Sequence, residues 1–172
     1  MAYKTITFAA FALLLSVSTV SAQDAPAQLP SPASSTTQQL KKAKVSINYG
    51  SPSVKGRKIW GELVPFGQVW RTGANEATTF EVDKDVKVQG QLLKAGKYAL
   101  FTIPGESEWT IIFNKTAKQW GAYKYDQKED ALRVTAKPKK AAAFSEKMTF
   151  AISKKGVVSL NWENLQVNFK VK

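Results

Sequence analysis

The 172-residue sequence contains no cysteine and no histidine. Together these absences exclude most nucleophilic and soft-metal chemistry. No Cys–His pair, no Ser–His–Asp triad and no zinc site of the usual nitrogen and sulfur ligands can be assembled. Disulfides are excluded as well, so the fold must rest on its core, which a domain of this size can do. Arginine is scarce, with Arg57, Arg71 and Arg133 against 22 lysines, and acids are outnumbered 25 to 13, giving a net charge of +12. Such a field attracts anions such as acidic polysaccharide, lipid headgroups or nucleic acid. The lysines are spread along polar strand faces, however, and lysine is a solvated point charge rather than a planar, bidentate reader. The composition therefore favours a solvated surface, and without a nucleic-acid motif no specific nucleic-acid partner is expected.

Long apolar runs are also missing, apart from Ile6–Leu15, interrupted only by Thr7. That run is shorter than the roughly 20 residues that span a bilayer. With Lys4 before it and Val20-Ser21-Ala22 after it, residues 1–22 read as a signal peptide cleaved before Gln23. A retained N-terminal anchor is the alternative. No cysteine follows the cleavage point to carry a lipid, and the remaining 150 residues suit one domain with no transmembrane segment. The expected location is periplasmic or extracellular. Residues 23–43, rich in Pro, Ala, Ser, Thr and Gln, read as a flexible leader.

From Lys44 the hydrophobic period is two. "KVSINYG", "TTFEVDKDVKVQGQLL", "AGKYALFTIPG", "EWTIIFN", "ALRVTAK", "KMTFAIS", "VVSLNW" and "LQVNFKV" supply about nine short strands. Tyr98 and Leu100 on one face of the third stretch, with Ala99, Phe101 and Ile103 on the other, indicate a central strand covered on both sides. Gly156 and Glu163-Asn164 read as hairpin turns. The expected fold is all-β: an antiparallel sandwich over residues 44–172, of jelly-roll type or, as runner-up, a closed barrel. Two segments interrupt the strands, 51–77 and 114–130, and long ordered loops on a β scaffold are where function concentrates.

The stretches "PSVKGRKIWGELVPFGQVWRTGANEATTF", "LKAGKYALFTIPGESEWTIIFNK", "KQWGAYKYDQKEDALRV" and "LNWENLQVNFKV" resemble, in order, the family catalogued as domain of unknown function 2911. The resemblance covers about residues 44–172. It implies an exported bacterial protein of Bacteroidetes type, and it supplies no catalytic residue.

The residues themselves offer three chemistries. Lys55, Arg57, Arg71, Asn75 and Glu76, with Trp120 and Tyr123 from the second segment, supply cations, amides and flat rings suited to a glycan or a small anion. Trp60 and Trp70 read as core in a cap containing one turn of helix, with Arg71 paired to Glu62, Glu76 or Glu163 at its rim. Glu62, Glu76 and Asp126 are candidates for the carboxylate pair of a glycoside hydrolase, which needs its two acids roughly 5–10 Å apart. "DQKED" lacks the spaced ligands and glycine of a calcium loop, so no metal site is expected, and no residue pattern asks for a cofactor. The leading expectation is a non-enzymatic binding module. A hydrolase and a structural or protein-interaction module are the alternatives.

Overall fold

The computed structural model describes Met1 and residues 31–172. All of the expected signal peptide except Met1, and the first part of the expected leader, lie outside the described residues. No helix among the described residues is long and apolar enough to cross a membrane.

Alternation builds the larger sheet. In β2 (Lys44–Gly50), Val45, Ile47 and Tyr49 are buried while Ser46 and Asn48 are not, the two-residue period of a half-buried strand. It lies between β1 (Ala33–Gln39) and β3 (Ala74–Val82), with Ile47 opposite Phe80. Next come β6 (Gly96–Ile103), β7 (Trp109–Asn114) and β8 (Asp130–Ala136), giving the antiparallel order β1-β2-β3-β6-β7-β8. A short hairpin, β4 (Val86–Val88) and β5 (Gln91–Leu93), leaves this sheet between β3 and β6.

The second layer is β9 (Pro138–Ile152) and β10 (Val157–Lys170). The Val171 N–H donates to the Gly156 carbonyl at 2.8 Å, so the residues flanking β10 are neighbours. A straight strand of this length would hold them roughly 45 Å apart. β10 therefore doubles back midway, at Glu163-Asn164, where Glu163 takes φ 55°. β9 pairs with one limb, Val158 opposite Ile152, then passes the turn through two register breaks to meet the other limb, Val167 opposite Pro138. Lys87 and Lys172 exchange backbone hydrogen bonds of 2.7 and 2.9 Å, which joins β4 to this layer.

The core fills the space between the layers. Phe80, Leu100, Ile111 and Phe113 of the larger sheet meet Met148, Phe150, Leu160, Val167 and Phe169 of the smaller one. Phe113 packs edge-on against Phe80 at 5.0 Å and Phe169 at 6.1 Å. A smaller core lies on the outer face of the larger sheet, where Ala77, Ala99, Phe101 and Ile112 are covered by Val69, Ala122 and Tyr125. β6 is thus buried on both sides, as its two apolar faces required.

The fold is the expected all-β sandwich, with ten strands among the described residues rather than nine. The two expected strands "VVSLNW" and "LQVNFKV" are one, β10, and β1 is an unexpected strand, falling within the stretch whose composition suggested a flexible leader. Its Ser and Thr residues need no apolar partner, because an edge strand is held by its ladder to β2 and by contacts such as Thr37 Oγ1 to Ser46 Oγ at 3.0 Å. Leu40, buried just after it, ties that end to the core.

Gly156 tests the folded-back β10. Its φ is 77°, and a Cβ there would lie 2.1 Å from the Val171 carbonyl oxygen. Gly156→Ala should lose at least about 1–2 kcal/mol from the left-handed backbone alone, with the clash adding to it, as read by urea denaturation. A variant of unchanged stability would contradict this closure.

Candidate functional site

The segment after β2 divides between core and surface. Ile59 and Val64 are buried, and Trp60 and Trp70 join Trp109 of β7 and Trp162 of β10 in a cluster of four indoles. Trp60 meets the other three edge-to-face at 5.2–6.0 Å, the geometry that sets a positive ring edge on a negative ring face. The indole N–H groups of Trp60, Trp109 and Trp162 are buried with no acceptor among the described residues. In place of the expected turn of helix the chain makes a wider loop, with Val64 N–H donating to Ile59 O at 2.9 Å and Gly61 N–H to Val64 O at 3.0 Å.

The polar residues of this segment do not converge. Lys55 is tied through its N–H to Glu146 Oε1 at 2.9 Å, and Arg57 donates to the carbonyls of Ser53 at 2.6 Å and Val54 at 3.1 Å. Glu62 pairs with Lys58 at 3.0 Å on the exposed surface. Arg71 makes none of the expected ion pairs among the described residues, and its Nε is buried without an acceptor. Beside it, Thr72 is fully buried at φ 56°, its hydroxyl 3.1 Å from that of Thr102. A β-branched residue in this region is strained, and the bond from Thr78 Oγ1 to Thr72 O at 2.8 Å helps to fix it.

The second segment is organised by Asn114, buried at the end of β7. Its side chain donates to Asp126 O and to Asp130 Oδ1, both at 2.9 Å, and accepts from Thr116 N–H at 3.1 Å and Gln119 Nε2 at 3.2 Å. Asp126 caps the single 3-10 turn Gln127–Glu129, its Oδ1 accepting from Lys128 N–H at 2.9 Å. Tyr125 lies edge-on to Phe101 at 5.1 Å and donates to Asp130 Oδ2 at 2.6 Å, while Arg133 donates to Asp130 Oδ2 at 2.7 Å and to the Tyr125 hydroxyl. Burial pushes the Tyr125 hydroxyl up, aided by its bond to Asp130, to about 12. Burial alone would lower the Arg133 guanidinium, but its bonds to Asp130 and Tyr125 outweigh this and its pKa is raised.

This network carries residues 119–123 to β3. Gln119 O accepts from Ala77 N–H at 2.8 Å, Asn75 O accepts from Gly121 N–H at 3.2 Å, and Glu76 and Trp120 face each other as an antiparallel bridge. Residues opposed in this way present their side chains to the same face. Trp120 is 58% exposed and Tyr123 87% exposed. The Tyr123 ring lies over Gly121, 2.8 Å from where a Cβ would be. Four of the seven binding candidates (Asn75, Glu76, Trp120 and Tyr123) are thus together; Lys55 and Arg57 are held elsewhere, and Arg71, whose carbonyl accepts from Thr78 N–H at 3.1 Å, has no side-chain partner among the described residues. Glu76 also lines an open groove of about 570 Å³ on the outer face, with Ser34, Ser35, Asn48, Asn75, Thr79 and Lys97. Of the candidate carboxylates, Glu62 is paired with Lys58, Asp126 caps its turn, and Glu76 is the one acid lining the groove.

Residues 31–171 match the sequence family described as proteins of unknown function, DUF2911. The chain belongs to that family. No curated protein and no solved structure matches it. In this DUF2911 domain, sequence reasoning missed the groove's Ser34, Ser35, Asn48, Thr79 and Lys97. They are ordinary outward-facing strand residues, and only the pairing of β1, β2, β3 and β6 collects them. It also missed Asn114 and Arg133, whose one available signal was a polar residue closing an otherwise apolar strand.

The Tyr125 hydroxyl has a measurable signature. An unfolded tyrosine ionises near 10, so a folded value raised to about 12 means that its contribution to stability is complete below about pH 10 and is lost as pH rises toward 12. Ultraviolet titration of the folded protein should show one of the five tyrosines ionising near pH 12. In Tyr125→Phe that step should disappear and stability at neutral pH fall by about 1–3 kcal/mol. If the substitution instead removes a step near pH 10 and leaves one near pH 12, the hydroxyl is not held by Asp130.

Proposed function

We propose that this domain is a non-enzymatic binding module for a glycan of the bacterial envelope, exported by its N-terminal segment and acting in the periplasm or outside the cell. The observation that carries this reading is the exposed Trp120, fixed by main-chain pairing opposite Glu76, which itself lines a groove of hydroxyls and amides. A sugar ring needs a flat apolar surface for its C–H face and short polar side chains for its hydroxyls. Trp120 and Tyr123 supply the first, and Ser35, Asn48, Asn75 and Thr79 the second. The groove volume, about 570 Å³, falls within the range of roughly 300–1,000 Å³ typical of small-ligand sites.

A small-anion ligand is less well supported at this place. Anion recognition favours the arginine fork, and Arg57 spends its donors on the carbonyls of Ser53 and Val54. In the groove the charge of Lys97 stands against that of Glu76, which suits a neutral or mixed glycan. Export rests on the charged start, apolar run and small residues of positions 1–22.

The test is isothermal titration of oligosaccharides, including peptidoglycan fragments, against wild type, Trp120→Ala and Glu76→Gln. Loss of a central stacking residue should cost about 2 kcal/mol, roughly 30-fold in affinity. The melting temperature should hardly move, because Trp120 is exposed. Undiminished binding by Trp120→Ala would remove the groove from consideration. Turnover that Glu76→Gln abolishes while binding is retained would make the protein a hydrolase instead.

A further inference from the structure

A second pocket, sharing no lining residue with the groove, lies where two hairpin turns and the last residues of the sequence meet. Leu40, Lys41, Lys42 and Ala43 come from the β1–β2 turn, Lys154, Lys155 and Gly156 from the β9–β10 turn, and Val171 and Lys172 from the end of the doubled-back β10. Its volume is about 270 Å³. Leu40, Ala43 and Val171 are buried and make an apolar floor, and Lys41, Lys42, Lys154, Lys155 and Lys172 are exposed around it. Gly156 assembles the place, since its bare Cα lets the turn close on Val171 and brings Leu40 Cδ1 to 3.4 Å of the Cβ position.

The charge here is one-sided. None of the five lysines is in an ion pair among the described residues. No acidic side chain lines the pocket. Asp83, on the β3–β4 connection, spends Oδ1 on the Lys44 N–H at 2.7 Å. Five cations gathered from segments more than 100 residues apart repel one another unless an anion shares them. Their type narrows the ligand. Lysine is a compact point charge suited to phosphate, without the planar fork that reads carboxylates in pairs. The enclosure fits one compact, multiply charged group rather than an extended chain, and the apolar floor accepts the uncharged part that carries it.

We infer that this pocket binds a phosphate-bearing group carrying more than one negative charge, either free or displayed as a lipid headgroup. The site is independent of the proposed glycan groove. Titration of the full chain with inorganic pyrophosphate should give saturable one-to-one binding that weakens steeply with salt. Lys154→Glu/Lys155→Glu and Lys41→Glu/Lys42→Glu, on different turns, should each reduce affinity at least tenfold. Lys139→Glu/Lys140→Glu changes the net charge equally at another exposed lysine pair and should reduce it less than twofold. Sedimentation with phosphatidylcholine vesicles, with and without phosphatidic acid, whose phosphomonoester can carry two charges, distinguishes the sources. Capture by the anionic vesicles that exceeds capture of the Lys154→Glu/Lys155→Glu variant, and that pyrophosphate reverses, identifies a headgroup. Pyrophosphate binding without such capture identifies a free ligand. Equal losses in all three double variants, or no saturable binding of pyrophosphate and no lysine-dependent capture, would overturn the site.

Discussion

The packing of Trp60, Trp70, Trp109 and Trp162 is the constraint on which the rest of this structure depends. These rings come from the long connection after β2, from the larger sheet and from the folded-back β10. They join the two layers to a segment that has almost no regular structure of its own. With Trp60 and Trp70 engaged, the connection is committed to its path, and its end reaches β6: Trp70 and Thr102 exchange backbone hydrogen bonds of 2.8 and 2.9 Å. The strained Thr72 and the buried Arg71 Nε follow from that docking, since the chain must turn sharply between Trp70 and the start of β3. Strain of roughly 1–3 kcal/mol at such a residue is tolerable beside the burial of large aromatic surfaces.

The outer face of the larger sheet obeys a different logic. Its centre is apolar through Phe101 and Ile112, and water must be kept from it. The segment from 114 to 130 does this, held by a polar network around Asn114 and Asp130 rather than by a strand or helix. Because the cover stops at β3, the remaining half of the face stays open, and Trp120 stands at the boundary. The position of the candidate site therefore results from how far a cover extends.

The strands were readable wherever one face is buried, because burial imposes alternation. Val45, Ile47 and Tyr49 announced β2, and Leu165, Val167 and Phe169 announced the second limb of β10. β1 was unreadable for the opposite reason, since a polar edge strand is fixed by backbone bonding that leaves no pattern in side chains. The site was half readable. Trp120 and Tyr123 were legible as aromatic residues in a long segment that interrupts the strands. Arg57 misled because a guanidinium group also serves main-chain carbonyls. The lysine pocket was invisible for a topological reason: two lysine pairs and a terminal lysine, each unremarkable alone, are neighbours only because β10 doubles back.

That doubling back also orders events in time. The second layer comes almost entirely from the stretch beginning at Pro138, and its inner limb is completed only at Val171. As the chain lengthens from its N-terminus, Phe80, Leu100, Ile111 and Phe113 are made long before Leu160, Val167 and Phe169 exist to cover them. The sandwich cannot close on a growing chain. Its folding waits for residues 138–171, proceeds through sequence-distant contacts at the slow rates these impose, and leaves an apolar sheet face in need of protection until that hairpin arrives.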